Sequence, residues 1–180
     1  MSPTATAILT ALLALPPYHR DAEVMAERER RLSTVAVAID QVVARYTCGD
    51  TTEPCRPAWP GTRPQLAAML VTQGFFESGF AQHLHEGVCG PHECDGGRAH
   101  GLWQVHAGGP VPFEAWQEMS GTSARSTWTS AFYAASLLSK SMKACGTLAG
   151  AVSMYATGKT CEWAGAAPRI AFMRKLSLWP

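Results

Sequence analysis

The sequence predicts a mostly α-helical single domain stapled by disulfides, and three observations carry that prediction. Apolar residues recur at helical spacing along several stretches, no segment shows the period-two alternation of a half-buried strand, and the six cysteines fall into three neighbouring pairs. At most a small hairpin, within residues 85–103, is expected beside the helices. With 180 residues the chain can bury a core of its own, and 47% hydrophobic against 16% charged residues is the balance of a globular protein. A net charge of +1 gives no electrostatic reason to expect nucleic acid or an anionic membrane as partner.

Thr4 to Leu15 is apolar and ends at Pro16-Pro17. It lacks a basic stretch before it and a small-residue cleavage site after it, so the reading is a short helix packed on the domain rather than a secretion signal. It is also too short to span a bilayer. Asp21 is the expected cap of a helix over residues 21–46, with Leu32, Val35, Ile39, Val42, Val43 and Tyr46 as its buried stripe. Residues 1–46 are therefore taken as an N-terminal helical segment and 47–180 as the domain proper. Cys48 to Thr62 reads as a loop rich in proline. Pro64 suits the first turn of the next helix, in which Leu66, Met69, Leu70 and Phe76 are expected to be buried. Gly74 weakens that helix and Gly79 ends it.

Further on, Phe113 to Met119 reads as a short helix. Trp128, Phe132, Ala135, Leu138 and Met142 mark a long one that stops near Gly146. Leu148, Val152 and Tyr155 mark another that stops at Gly158, and Ala166 to Leu178 is expected to form the last. The cysteines Cys48/Cys55, Cys89/Cys94 and Cys145/Cys161 are expected to pair with their neighbours in sequence, since each bond would staple one loop. Sequence alone does not choose among the pairings. Disulfides would place the protein in an oxidising, extracytoplasmic compartment.

Chemistry is concentrated in Glu77 to His106, ESGFAQHLHEGVCGPHECDGGRAHGLWQVH. A loop of this length with so many polar and aromatic residues is more often functional than incidental. Glu77 lies at the end of an apolar helix beside Phe75, Phe76 and Phe80. Apolar surroundings favour the protonated carboxylic acid, which is the form that donates a proton to a departing oxygen. That is the task of the acid in glycosidic cleavage. The plainer alternative is a helix-end glutamate turned to water.

Glu77-Ser78-Gly79-Phe80, Gly101-Leu102-Trp103-Gln104 and Tyr155-Ala156-Thr157-Gly158, in that order, resemble the three motifs of the lysozyme-like lytic transglycosylases and goose-type lysozymes. The resemblance covers residues 64–160. It implies a lysozyme-like fold and cleavage of the β-1,4 bond between N-acetylmuramic acid and N-acetylglucosamine in peptidoglycan. Glu77 would be the general acid, with Ser78 and Gly101 in the substrate-binding motifs, Gln104 contacting substrate or fixing the cleft floor, and Tyr155 near the acid. Trp103 stands where the family commonly has methionine, and Ala156 where it commonly has asparagine, which removes a polar contact. Transglycosylases of this kind use one acid: the sugar closes a 1,6-anhydro ring and no water attacks.

Hydrolysis would need a second carboxylate, about 6.5–9.5 Å away for inversion or about 5–5.5 Å for retention. Asp95 is the best placed, because goose-type lysozymes have an acid shortly before the second motif. His106 stands where they have another acid, after that motif. Against this, Asp95-Gly96-Gly97 is also strong turn chemistry. Trp103 is expected on the cleft, and Tyr155 is expected to have its ring in the core and its hydroxyl at the site. His83, His85, His92, His100 and His106 with Cys89 and Cys94 include zinc-ligand types, but their spacing matches no zinc pattern. Some of these histidines are expected to line the cleft instead.

No metal or other cofactor is called for. Peptidoglycan glycan strands are the expected partner, a monomer is the default, and the sequence carries no mark of a particular inhibitor or immunity partner. A phage endolysin, a secretion-system muramidase and a wall-remodelling enzyme would share these features. So would a non-catalytic glycan-binding module that keeps the fold.

Overall fold

The computed structural model describes residues 1–48 and 59–179. Helices dominate: α1 (Pro3–Leu13), α2 (Met25–Tyr46), α3 (Arg63–Ser78), α4 (Gln82–His85) and the turn-like α5 (Cys94–Gly97) precede a small hairpin. Its strands are β1 (Ala99–His100) and β2 (Val105–His106), after which come α6 (Phe113–Glu118), α7 (Ala124–Cys145), α8 (Leu148–Thr157) and α9 (Ala166–Met173). The strands are antiparallel, with Ala99 opposite His106 and His100 opposite Val105, so the hairpin sits a few residues beyond its expected place. No helix among the described residues is long and apolar enough to cross a membrane.

The apolar segment before Pro16-Pro17 does form a helix, and it docks on α2. Ser2 caps α1 by accepting from the Ala5 N–H, and its hydroxyl donates to Asp40 of α2 at 2.6 Å. At the other end Arg28 of α2 donates to the carbonyl of Leu15 at 2.8 Å. Ile8, Leu12, Leu32, Val35 and Ile39 are wholly shielded from solvent. Each such side chain contributes roughly 1.5–3 kcal/mol by leaving water.

The start of α2 corrects the expectation of a helix from residue 21. Val24, without a side-chain cap, precedes the first turn at Met25. Glu23 folds back to pair with Arg31 through two bonds of 2.8 and 2.7 Å, both side chains nearly buried. Eight residues of continuous helix would set these two about 12 Å apart along the axis, so the chain must leave the helix before Met25 for the pair to form. Asp21 is used elsewhere: its carboxylate accepts from the Gln82 N–H at 2.8 Å, at the start of α4.

α3 opens with Thr62 and Gln65 in a reciprocal capping box and Pro64 in the first turn, and it ends at Gly79 with φ +60°. Gly74 is the point where the Phe80 ring crosses the helix: a Cβ there would overlap that ring. Phe76 departs from the expected buried stripe; it is 38% exposed and packs edge-on against Phe75 and Phe172.

α7 and α8 end at Gly146 and Gly158, both left-handed, as expected. α9 is shorter than expected. Beyond Met173 the bonds tighten to Lys175 N–H on Phe172 and Leu176 N–H on Met173, and the chain turns so that Leu178 returns to the core.

One core joins residues of α1, α2, α3, α7, α8 and α9 with Trp59, Leu102 and Trp103. A smaller apolar cluster of Ala81, Leu84, Cys94 and Ala99 lies under the loop that follows α3. Two disulfides match the expected pairing, Cys89–Cys94 and Cys145–Cys161. The Cys48/Cys55 pair lies outside the described residues, because Cys55 falls in 49–58.

Candidate active site

A cleft of about 1450 Å³ runs between the C-terminal end of α3, the loop and hairpin that follow it, and the facing parts of α7 and α8. The chain between α1 and α2, Pro16 to His19, completes its wall. This space is larger than the few hundred to a thousand Å³ typical of small-molecule pockets and suits an extended ligand.

Glu77 lines the cleft on the last turn of α3, with about a fifth of its side chain exposed. Its neighbourhood differs from the apolar one expected. Phe80 turns away under Gly74 and meets Trp103 edge-on. Arg169 of α9 takes the place beside the carboxylate, its Nη1 donating to Glu77 Oε1 and to Gln73 Oε1, each at 2.5 Å. The guanidinium is also held over the rings of Phe76 and Trp163, at 5.1 and 5.2 Å.

Ser78 is also on the cleft wall, but its hydroxyl works within the backbone. It donates to the Gly74 carbonyl at 2.9 Å and accepts from the Phe80 N–H at 3.1 Å. These bonds hold the exit from α3, where Gly79 and Phe80 both have positive φ. Ser78 therefore positions Glu77.

The second motif divides. Gly101 does not reach the cleft lining; a Cβ there would overlap the Ser130 hydroxyl. Trp103 is wholly buried, and its indole N–H donates to the Leu70 carbonyl at 2.8 Å, which corrects the expectation of a tryptophan face toward a ligand. An indole of that size gains most by burial with its one donor satisfied, and the α3 backbone offers the partner. Gln104 does line the cleft. With φ +47° it closes the hairpin turn, its side-chain amide donating to the Gly101 carbonyl at 3.0 Å.

Tyr155 of α8 holds this hairpin from the side of α8. Its hydroxyl donates to the Trp103 carbonyl at 2.7 Å. Burial, and after it the charge of Glu77, push that hydroxyl well above the ordinary tyrosine range, so it stays a neutral donor.

Asp95 lines the same cleft from a turn in which Cys94, Asp95, Gly96 and Gly97 all have positive φ. The Cys89–Cys94 bond pins the first of these, and Arg98 N–H closes the turn on the Cys94 carbonyl at 2.8 Å. The Asp95 carboxylate is mostly exposed and lies 3.0 Å from Nε2 of His106, which is also on the cleft. Asp95 is thus a turn residue that also lines the cleft.

The histidines separate by task. His83 bridges Asp21 and Glu93, at 3.4 and 3.1 Å, and ties the α1–α2 connection to the disulfide loop. The Gly90 N–H, with His83 behind it, holds the Glu93 carboxyl below the ordinary range. His85 is buried against the Thr127 hydroxyl at 2.8 Å, and burial lowers its pKa to about 3. His100 stacks on Trp116 at 3.7 Å. Only His92 and His106 of the loop's histidines reach the cleft. Among the described residues no three His, Cys, Asp or Glu side chains gather as a metal site, and Cys89 and Cys94 are oxidised.

Arg169 and Gln73 are the site residues that the sequence reading missed. The available signal was a lone arginine within the otherwise uncharged Ala166–Met173. No family model, curated protein or solved structure matches the chain.

Proposed function

We propose that the protein is a muramidase with a lysozyme-like fold, acting outside the cytoplasm on peptidoglycan at the bond between N-acetylmuramic acid and N-acetylglucosamine. The observation that carries this reading is Glu77 on the wall of a cleft large enough for a glycan strand, at the end of a buried helix, with its carboxylate directed by an anchored arginine. The three motifs and the two disulfides among the described residues agree with it.

Arg169 is fixed by Gln73 and by two aromatic rings, so the mobile partner of the pair is Glu77. As it turns from Arg169, Glu77 takes a proton from solvent and delivers it to the glycosidic oxygen as the bond to C1 breaks. The resulting carboxylate then takes the proton of the muramic acid C6 hydroxyl, whose oxygen closes on C1 to give the 1,6-anhydro product. Arg169 stabilises that carboxylate between the two steps by charge-assisted hydrogen bonding. The neutral Tyr155 hydroxyl fixes the hairpin that faces the acid.

A second reading, hydrolysis, is favoured by Asp95, which stands on the same cleft with His106 against its carboxylate. Asp95 would then direct a water onto C1.

Mass spectrometry of soluble products from purified peptidoglycan, with the natural chain and with Glu77→Gln, tests both. Products ending in 1,6-anhydro-muramic acid, absent with Glu77→Gln, are the expected result. Reducing ends carrying one added water select the hydrolase. No products from either chain refute cleavage and leave a glycan-binding module.

A further inference from the structure

The connection between α1 and α2 is built into the cleft wall, although no motif includes it. Pro16, Pro17, Tyr18 and His19 line the cleft together with Glu77 and Gly79. Tyr18 is half-buried and lies on Gly79, two residues beyond the candidate acid; a Cβ at Gly79 would stand 3.1 Å from the tyrosine Cδ2. Its ring is 4.7 Å from the His19 ring and 5.4 Å from that of His83. The segment is anchored at both ends: Arg28 holds the Leu15 carbonyl, and Asp21 accepts from the Gln82 N–H and faces His83. Asp21 N–H also turns back on the Tyr18 carbonyl at 3.0 Å.

An aromatic ring held rigidly on a cleft wall, with an exposed imidazole beside it, has the character of a sugar-binding platform. Pyranose rings offer an apolar C–H face that stacks on an aromatic ring and hydroxyls that bond to a nearby nitrogen, and a pre-anchored ring loses little entropy on binding. We infer that Tyr18, with His19 beside it, binds a pyranose ring of the glycan strand next to the bond whose oxygen Glu77 protonates, which makes the α1–α2 connection a substrate-binding element. This rests on the glycan reading above and adds a contact that the three motifs do not supply.

The test is titration of N,N′,N″-triacetylchitotriose into the Glu77→Gln chain, which binds without turnover, followed by heteronuclear NMR. Tyr18→Phe should keep the dissociation constant within about twofold. Tyr18→Leu fills the space over Gly79 without an aromatic face and should weaken binding about tenfold with the melting temperature unchanged. Equal affinity for Tyr18→Leu and the parent overturns the inference, while the muramidase reading still stands or falls on its own reaction products. Absence of any binding by the parent overturns the inference as well; if the natural chain also releases no products, the muramidase reading falls with it.

Discussion

Replacing Arg169 with methionine probes the site most directly, because the guanidinium joins α9 to the end of α3 through both Gln73 and Glu77. Its side chain is 10% exposed and that of Glu77 21%, so the pair is shielded more than a surface ion pair and less than a core one. Two unit charges at contact are worth about 4 kcal/mol at an effective dielectric near 20. Screening at the exposed side of Glu77 and the entropy of ordering it reduce the net charge-dependent coupling to about 2 kcal/mol. Gln73 left without its donor adds about 1 kcal/mol. Arg169→Met should therefore cost about 3 kcal/mol, or a fall in melting temperature of roughly 6–12 °C for a chain of this size. The clean measurement is a urea double-mutant cycle with Arg169→Met and Glu77→Gln. The Gln73 bond and the contacts with Phe76 and Trp163 are lost in both arms and cancel, which isolates the Glu77 charge. A coupling below about 0.5 kcal/mol would mean that Arg169 is a packing residue and does not direct the acid.

Three further outcomes follow from particular contacts. His85 is neutral in the fold, with its pKa lowered to about 3 by burial and then by Arg31, while the unfolded chain takes up the proton near pH 6.5. Its contribution is complete above pH 6.5 and is lost as pH falls from there toward 3, with a slope approaching about 1.4 kcal/mol per pH unit. Urea titrations between pH 6.5 and 5, above the range of most carboxylates, should show a flatter slope for His85→Gln; parallel slopes refute the assignment. Opening Cys145–Cys161, which spans 16 residues, by double alanine substitution should cost about 3 kcal/mol, against about 2 for Cys89–Cys94, which spans 5. Guanidinium unfolding gives both, and a reversed order would show that folded-state contacts outweigh chain entropy. Gly74→Ala should destabilise by about 1–3 kcal/mol because the Phe80 ring occupies the Cβ position. Helix propensity alone predicts a gain of about 0.5–1 kcal/mol, so the sign of the change in a thermal melt decides between them.

What could be read from the sequence was local. Gly79, Gly146 and Gly158 end α3, α7 and α8 in left-handed conformations, a role that follows from the lack of a Cβ and needs no knowledge of the fold. The two described disulfides join sequence neighbours, the pairing expected of loop staples although spacing alone does not choose it. The start of α2 was misplaced because the Glu23–Arg31 pair is a return contact that outweighs the capping preference of Asp21. Arg169 was invisible for a stronger reason: it meets Glu77 across 92 residues, and no periodicity reports such a contact. Aromatic residues misled in both directions. Trp103, placed on the cleft by its motif, is buried, whereas Phe76, placed in the core by its spacing, is exposed.

The polar density of residues 77–106 signalled chemistry, yet much of it is spent on holding the loop. A long irregular segment beside a core must satisfy its own backbone groups, and here side chains do so. Ser78 takes the Gly74 carbonyl and the Phe80 N–H, Glu93 takes the Gly90 N–H, and Gln104 takes the Gly101 carbonyl. His83 joins two carboxylates from different segments. Once these are subtracted, Glu77, His92, Asp95, Arg98 and His106 remain on the cleft, together with Tyr18 and His19 from a segment far away in sequence. The subtraction is what sequence cannot perform, since a histidine that braces a loop and one that meets a ligand are the same letter. It also explains why a small apolar cluster and a disulfide sit under the loop. They fix Cys94 and the left-handed turn after it, and so fix where Asp95 stands relative to the cleft.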